Sequence, residues 1–236
     1  MKSLEEVRQH LLVGEIKISG RLVDASNATL FGSCTHDGNE LSVIYKPIAG
    51  ERPLWDFADG NLASREYASY LLSELIGWNL IPVTVLRDGP FGEGMVQQWI
   101  DIDEDVDLAL FYRTDDARLR KLALFDAIIN NTDRKIGHLL PTKDGRVLGC
   151  DHGVTFHEED KLRTVLWQWA NVPLTDTEKL ELTQLLGHLN LRTTEIVHLV
   201  TENEYQALIE RVERLLSSGE FPAPSEDWPA VPWPPF

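Results

Sequence analysis

The order of its sequence patterns constrains this chain most, because short β-rich runs come first and helical patterns follow them. The runs "EIKISGRLV", "ATLFGSC" and "ELSVIYKP" are separated by the turn-forming stretches "DASN" and "HDGN". They predict a meander of three antiparallel strands. Two more strands are predicted in "VTVLRDGPFGEGMVQQWI", around its glycine-rich turn. Since strands and helices are segregated along the chain, the predicted fold class is α+β.

Helical patterns carry recognisable start and stop signals. Ser3 and Glu6 have capping-box spacing at the start of a helix predicted over residues 3–12. A second helix is predicted in "NLASREYASYLLSELIG", where Gly77 is placed to end it. Further helices are predicted at about residues 116–130, 176–188 and 202–217, and a short hairpin in "HLLPTKDGRVLGCDHG".

The acidic stretch "DIDEDVDLAL" marks the change from one pattern to the other and predicts a boundary between two lobes. A β-rich N-lobe with one key helix is expected over residues 1–100, and a helical C-lobe over residues 101–220. The Pro- and Trp-rich tail, residues 221–236, is expected to lie extended along the surface or to be mobile. The cleft between the lobes is the expected ligand site.

Charge and hydrophobicity exclude several classes of partner. The chain has 38 acidic and 22 basic residues, a net charge of −16, which disfavours nucleic acid and anionic lipid surfaces. No run of about 18 apolar residues occurs, so no stable membrane insertion is predicted and a cytoplasmic location is expected. Cys34 and Cys150 lack metal or redox spacing and are predicted to be small buried residues with reduced thiols.

Four charged residues follow an order that phosphoryl transfer requires. Lys46 ends the strand "SVIYK", and Glu66 lies on the next helix, where an ion pair can hold the lysine against nucleotide phosphates. Asp133 lies in the polar loop "NNTDRKIGHLL", and Asp151 ends the run "RVLGC" in an Asp-x-Gly pattern. One carboxylate can orient a hydroxyl and the other can hold a metal ion. Each residue alone is explained as a strand-end, surface or turn residue, but the ordered set favours a nucleotide-dependent phosphotransferase.

The segments "ASNATLF", "VIYKP", "REYASYLLSELIGWNLIP", "NNTDRKIGHLL" and "CDHGVTFH" also carry a family resemblance. They resemble the phosphoinositide 3- and 4-kinase superfamily, most nearly the type II phosphatidylinositol 4-kinases and related actinobacterial proteins, over about residues 20–170. The resemblance implies a two-lobed protein-kinase-like fold. It also implies an ATP-dependent kinase that transfers the γ-phosphoryl group to a hydroxyl acceptor.

The resemblance assigns roles to the charged residues. Lys46 is expected to contact the nucleotide phosphates, and Glu66 to anchor that lysine. Asp133 is the expected catalytic carboxylate, with Arg134 beside it as a further catalytic residue. Asp151 is expected to hold the metal ion.

Two further segments are matched to nucleotide contacts. "DASNAT" stands where the family has its phosphate-covering loop, so Ser26, Asn27 and Thr29 are expected to donate to phosphate oxygens, although the loop lacks glycine. "MVQQW" matches the segment that links the lobes. The backbone of Gln97 or Gln98 is therefore expected to meet the adenine edge.

His138 departs from the family pattern, because an asparagine that serves as a second metal ligand usually stands five residues after the catalytic Asp. Mg²⁺ prefers oxygen ligands, whereas imidazole suits softer ions such as Mn²⁺. His138 would then ligate a Mn²⁺-like ion, hydrogen-bond a phosphate or carboxylate, or mark a degraded site. The expected cofactors are ATP with Mg²⁺ or Mn²⁺, and better catalysis is expected with Mn²⁺.

The acceptor stays open at this stage. The resemblance implies a phosphoinositide acceptor. Because of the acidic composition, a soluble acceptor, either a protein or a small polyol, is expected about as strongly as the lipid. Two alternatives to a kinase are a pseudokinase that serves as an ATP-binding regulatory module and a nucleotidyl transferase.

Overall fold

The N-terminal part of the chain forms one antiparallel sheet in the computed structural model, which describes residues 3–22, 27–52, 54, 57 and 60–236. Its strands are β1 (Glu15–Arg21), β2 (Leu30–His36), β3 (Asn39–Pro47), β4 (Thr84–Gly89) and β5 (Gly92–Gln98). They pair in the order β1-β2-β3-β5-β4, so β3 and β5 are central neighbours. The predicted meander and the two later strands are confirmed.

The turn between β2 and β3 sets the register of those two strands. Asp37 and Gly38 both have positive φ, 49° and 73°, as a two-residue hairpin turn requires. This turn fixes the register of β2 against β3, and in the separate pairing of β3 with β5 Lys46 lies opposite Met95. Lys46 therefore emerges near the middle of the sheet and not at its edge.

Two helices accompany this sheet. Helix α1 (Leu4–Val13) begins with the predicted capping box of Ser3 and Glu6. Helix α2 (Leu62–Ile76) begins at Asn61, whose side chain accepts from the Ser64 N–H, and ends at Gly77 in the left-handed region. Helix α2 packs against β4 and β5 and carries Glu66 toward the sheet.

Helices dominate the C-terminal part, around a small two-stranded sheet. The elements are α3 (Leu108–Phe111), α4 (Ala117–Ile129), β6 (Leu139–Pro141), β7 (Val147–Gly149), α5 (Asp176–Leu191) and α6 (Glu202–Ser218). The three long helices and the hairpin lie where the sequence predicts them, and α6 has the capping box of Thr201 and Glu204. A β-rich and a helical part make the predicted two-lobed α+β fold, while the residue bounds of the lobes stay a prediction. Within the described ranges, no helix is both long and apolar enough to cross a membrane.

The Pro- and Trp-rich tail lies against the helical part. Phe221 and Pro232 are buried. The carbonyl of Ala230 accepts hydrogen bonds from the Thr164 N–H, at 3.1 Å, and from the Trp167 side chain, at 2.8 Å. Backbone carbonyls of the tail thus find donors on the protein, while the expected choice between an extended and a mobile tail over residues 221–236 stays a prediction.

A buried ion pair joins the two parts away from the cleft. Arg65 of α2 donates to the Glu204 carboxylate of α6, and both side chains are almost fully buried. Glu204 also accepts from the Thr201 N–H at 2.8 Å, so one carboxylate both caps α6 and holds α2. Removing one partner of a buried pair leaves an uncompensated charge and costs about 3–5 kcal/mol.

We expect Glu204→Gln to lower the free energy of unfolding by about 3 kcal/mol, since glutamine keeps the capping geometry but leaves Arg65 facing a neutral group. The matched control is Glu202→Gln on the same helical turn, whose ion pair with Arg192 is solvent-exposed. That change is expected to cost less than about 1 kcal/mol. Chemical denaturation of both variants measures the difference, and equal effects would contradict a role for the buried pair.

Candidate active site

A cavity of about 450 Å³ lies between the sheet and the β6-β7 hairpin. Lys46, Thr29 and Ile44 line it from the sheet, and His138 and Asp151 line it from the helical part. The segment after β5, residues 99–102, closes one side. The cavity therefore combines an apolar wall, a lysine and a carboxylate, which suits a ligand with a flat apolar part and an anionic part.

Lys46 is held by carboxylates from both sides of the cavity. Its Nζ atom lies 2.5 Å from Glu66 Oε1 and 2.8 Å from Asp151 Oδ1. The other oxygen of Glu66, Oε2, accepts from the backbone N–H of His152 at 3.0 Å. Glu66 thus positions the lysine and the residue after Asp151 at once.

Local backbone geometry turns Asp151 into the cavity. Asp151 follows β7 and has φ of 59°, a left-handed conformation that is uncommon for residues other than glycine. Such conformations cluster at functional sites, where the surrounding structure holds them. Here the Glu66 contact to the next residue and the Lys46 contact to the carboxylate supply that support.

The site's charges shift one another's protonation. Burial by itself lowers the pKa of Lys46, but the Asp151 and Glu66 carboxylates outweigh it and the net shift is upward. Lys46 in turn is the largest cause that holds the pKa of Asp151 well below its usual range. Burial raises the pKa of Glu66, against the opposing effect of Lys46. At neutral pH the lysine is therefore charged and Asp151 is ionised.

Asp133 lies in the loop after α4, where Asn131 shapes the backbone by accepting the Asp133 N–H at 3.0 Å. Its carboxylate is partly exposed and lies 3.5 Å from Lys135 Nζ. Burial raises the pKa of Asp133, and the charge of Asp151 raises it further, whereas Lys135 lowers it. Asp133 itself is not among the residues that line the cavity, so it stands outside the space that Lys46, His138 and Asp151 share.

The guanidinium of Arg134 is fully buried beneath this loop, outside the cavity lining. It donates to Asp126 at 2.8 Å, to the Cys150 carbonyl at 3.1 Å, and contacts His152 Nε2 at 2.6 Å. In this position it joins the loop to the backbone before Asp151 and lies outside the cavity, and the catalytic role that the resemblance implied stays a prediction. Its partner Asp126 was missed, although an acid inside the apolar helix α4 was a signal for it.

His138 faces Asp151, with 3.5 Å between Nε2 and Asp151 Oδ2. Burial lowers the pKa of His138 to about 4, so the ring is neutral at pH 7. The Lys135 N–H donates to Nδ1 at 3.4 Å, which places the ring proton on Nε2, toward Asp151. The Asp151 carboxylate and the neutral His138 imidazole thus lie side by side on the cavity wall. They fit two ligands of a divalent ion whose other ligands are phosphate oxygens, provided that the ring proton moves from Nε2 to Nδ1.

The other predicted contacts divide between the cavity and its surroundings. Ser26 lies outside the described residues, and Thr29 lines the cavity. The side chain of Asn27 accepts from the Arg52 N–H at 2.9 Å and is not among the lining residues.

Gln97 and Gln98 line the cavity, yet their polar groups serve the sheet. The Gln98 N–H donates to the Val83 carbonyl at 2.9 Å, and the Gln97 side chain donates to Thr84 at 2.8 Å. The Gln98 N–H is therefore already engaged in the sheet, while an adenine contact from the backbone of Gln97 or Gln98 stays a prediction. Residues 100–102, which follow β5, also line the cavity.

Comparisons with known proteins agree with this geometry. The chain is 40% identical to Protein Rv2133c of Mycobacterium tuberculosis, covering 94% of this chain and 93% of that protein. A scan against protein-family models finds no match. Among solved structures, hydra Fam20 with sugar superposes with a TM-score of 0.61 at 14% identity, covering 91% of this chain and 87% of that one. The Golgi casein kinase with Mn/ADP bound superposes with a TM-score of 0.59 at 13% identity, covering 91% and 75%. The fold is therefore kinase-like.

Cys150 gives a direct chemical probe of the site, since it lines the cavity next to Asp151. Burial and the neighbouring Asp151 charge raise the pKa of its thiol to about 12. Only the thiolate reacts with alkylating agents, so the alkylation rate of Cys150 is expected to keep rising through pH 10. An unperturbed thiol levels off above its pKa of about 8.5. Mass spectrometry of iodoacetamide-treated folded and unfolded protein measures both rates, and a plateau near pH 9 in the folded protein contradicts the burial argument.

Proposed function

The chain belongs to the same family as Protein Rv2133c, and we propose that it is an ATP-dependent phosphotransferase. Its reaction is transfer of the γ-phosphoryl group to a hydroxyl acceptor. The observation that carries the proposal is the position of Lys46, whose ammonium lies between Glu66 and Asp151 on the wall of the cavity. The kinase-like fold and a structural neighbour that binds Mn/ADP support it.

Nucleotide binding changes the partners of Lys46. The phosphates of ATP bring several negative charges, and Lys46 is placed to contact them while Glu66 keeps its own contact with the lysine. Asp151 then gives up its contact with Lys46 and, with His138, becomes available to a divalent ion. A divalent ion there would be held by Asp151 and His138 and would supply charge neutralisation for the phosphates.

Asp133 orients the attacking hydroxyl. Its carboxylate is partly exposed, and its raised pKa makes the ionised form a better proton acceptor than that of an unperturbed aspartate. Arg134 and Asp126 hold the loop that carries it. Lys135, next in the loop, lies against the Asp133 carboxylate and limits its rotation.

The acceptor belongs to one of three classes: a phosphoinositide, a small polyol or a protein. The sequence resemblance to phosphoinositide 3- and 4-kinases supports the first class, and the structural neighbour named as a casein kinase supports the third. The net charge of −16 disfavours binding to an anionic membrane surface and therefore favours a soluble acceptor.

A second candidate, a pseudokinase that binds nucleotide without turnover, is favoured by one observation. The proton on Nε2 of His138 points toward Asp151, and in that state the ring is a hydrogen-bond donor and not a metal ligand. A nucleotidyl transferase would use the same phosphate contacts with ATP reversed, and it would add a nucleoside monophosphate to its product.

We expect Lys46→Met to lower phosphoryl transfer at least about 100-fold, because the phosphates lose their positioned cation. Asp133→Asn is expected to lower kcat by a similar factor while nucleotide affinity changes less than about threefold. Lys143→Met, in the exposed turn of the hairpin, is the matched control. Two measurements separate the outcomes, namely phosphoryl transfer from labelled ATP and ADP binding by calorimetry. If the unmodified chain binds ADP but transfers no phosphoryl group, the pseudokinase is supported. A product that gains AMP supports the nucleotidyl transferase.

The metal preference tests the role of His138. The unmodified chain is expected to turn over faster with Mn²⁺ than with Mg²⁺, because imidazole suits the softer ion. His138→Asn supplies an amide oxygen in place of the imidazole and is expected to reduce the Mn²⁺-to-Mg²⁺ rate ratio about tenfold. An unchanged ratio would exclude His138 as a metal ligand, and His198→Asn is a control outside the cavity.

A further inference from the structure

The end of the chain, which we term the strap (residues 228–236), is hydrogen-bonded to the loop that carries Asp133. The carbonyl of Pro235 accepts the backbone N–H of Ile136 at 2.8 Å. Ile136 belongs to the same loop as Asp133 and lies directly after Lys135. A residue almost at the chain terminus is therefore a direct backbone partner of this loop.

The strap also bonds to the segment that follows Asp151, which we term the activation segment (residues 157–169). The Ala230 carbonyl accepts two hydrogen bonds from it, one from the Thr164 N–H at 3.1 Å and one from Trp167 Nε1 at 2.8 Å. In addition, the ammonium of Lys161 lies 4.6 Å from the ring centre of Trp228. Three contacts on one short stretch fix its position along the activation segment.

The activation segment is in turn paired with the Asp133 loop. Arg134 and Thr164 form a parallel β-bridge. The Arg134 N–H donates to the Arg163 carbonyl, and the Val165 N–H donates to the Arg134 carbonyl, both at 3.2 Å. Strap, activation segment and Asp133 loop are thus neighbouring layers of backbone, and the strap bonds to both of the others.

None of the strap residues, all of which are described, lines the nucleotide cavity. Its contacts lie on the loop that bears the proposed hydroxyl-orienting carboxylate and on the segment paired with that loop. A displacement of about 1 Å at such a carboxylate can cost about 100-fold in rate, because the reacting atoms lose alignment. The strap itself lies outside the cavity, although Ile136 is followed by Gly137 and His138, which line it, so the main expected effect of the strap is on the acceptor side of the reaction.

We propose that the strap is a positioning element for the phosphoryl acceptor: its carbonyls hold the Asp133 loop and the activation segment in the register that acceptor binding requires. The inference rests on the proposed phosphotransferase function and deepens it. The strap acts mainly through its backbone carbonyls, and the Trp228 ring adds a contact with Lys161. Trp233, whose side chain is 88% exposed, contributes no essential contact.

The test compares the full chain with a chain that ends at Asp227. Acceptors of the three classes are dephosphorylated casein, phosphatidylinositol in detergent micelles, and inositol, and the one that the full chain phosphorylates is carried forward. Truncation is expected to lower kcat/KM for that acceptor at least tenfold, through kcat as well as KM, while the Kd for ADP with Mn²⁺ stays within twofold. Trp233→Ala, the matched control, removes an exposed ring of the strap and is expected to keep both values within twofold.

A second variant tests a strap contact in the full-length chain, so that its result does not depend on whether the truncated chain folds. Trp167→Phe keeps an aromatic ring but removes one donor to the Ala230 carbonyl. It is expected to raise KM for the acceptor about threefold with the ADP affinity unchanged. Hydrogen exchange provides a readout that does not depend on activity: the amides of Ile136 and Thr164 are expected to lose protection at least tenfold on truncation, while those inside α6 keep theirs.

The possible outcomes distinguish a failure of the strap inference from a failure of the proposed function. If the amides of Ile136 and Thr164 stay protected from hydrogen exchange in the truncated chain, the inference is overturned. It is also overturned if these amides lose protection but the acceptor kinetics do not change. A Trp233→Ala loss equal to that of truncation also overturns it, since the ring would then contact the acceptor directly. No transfer to any acceptor by the full chain, with ADP still bound, counts against the proposed function and against the inference that rests on it.

Discussion

The site depends on one cation shared by two carboxylates that come from different parts of the chain. Lys46 lies on the central strand of the sheet, Glu66 on the helix behind it, and Asp151 at the end of a strand in the helical lobe. An ammonium removed from water requires such partners, and the two acids in turn require the ammonium. Because the three residues belong to elements that fold separately, their contact fixes how the lobes face each other.

The same arrangement explains how an acidic protein can bind an anionic nucleotide. The chain carries 16 net negative charges, and three carboxylates surround or adjoin the proposed phosphate site. Long-range attraction therefore does not favour the ligand. Affinity has to come from short-range contacts in the cavity, namely Lys46, the apolar wall for the base, and a divalent ion between Asp151 and the phosphates. This requirement makes nucleotide and metal binding interdependent.

Sequence order was enough to predict the contact between Lys46 and Glu66, since a strand-end lysine before a helix with an acid has few geometric alternatives. It also located the capping box of Thr201 and Glu204, which is a local pattern. It did not reveal that Glu204 reaches Arg65, because that contact joins residues far apart in the chain. Local spacing predicts what a residue does for its own helix, whereas long-range partners depend on packing.

Two of the groups that the resemblance assigned to a ligand already have partners within the protein, and the physical cause is the same in both cases. Arg134 stands beside the candidate catalytic Asp in sequence, but its side chain turns to the buried Asp126 because a guanidinium with several donors satisfies several chain segments at once. The Gln98 N–H lies in the segment matched to the adenine contact, yet β5 continues far enough to use it within the sheet. In both cases a side chain or N–H that the resemblance assigned to a ligand is already hydrogen-bonded within the protein.

Two connections away from the cavity hold the elements that form it, and they act on different sides. The buried pair of Arg65 and Glu204 ties α2, and with it Glu66, to the helical lobe, so the lysine partner is fixed before any ligand binds. The strap ties the Asp133 loop to the activation segment by way of Pro235 and Ala230 carbonyls. Each side of the site thus has a buried ion pair beneath it, Arg65 with Glu204 on the nucleotide side and Arg134 with Asp126 on the acceptor side. The acceptor side has in addition the backbone hydrogen bonds of the strap, worth about 1 kcal/mol each, and these are the contacts that can yield to a substrate at low cost.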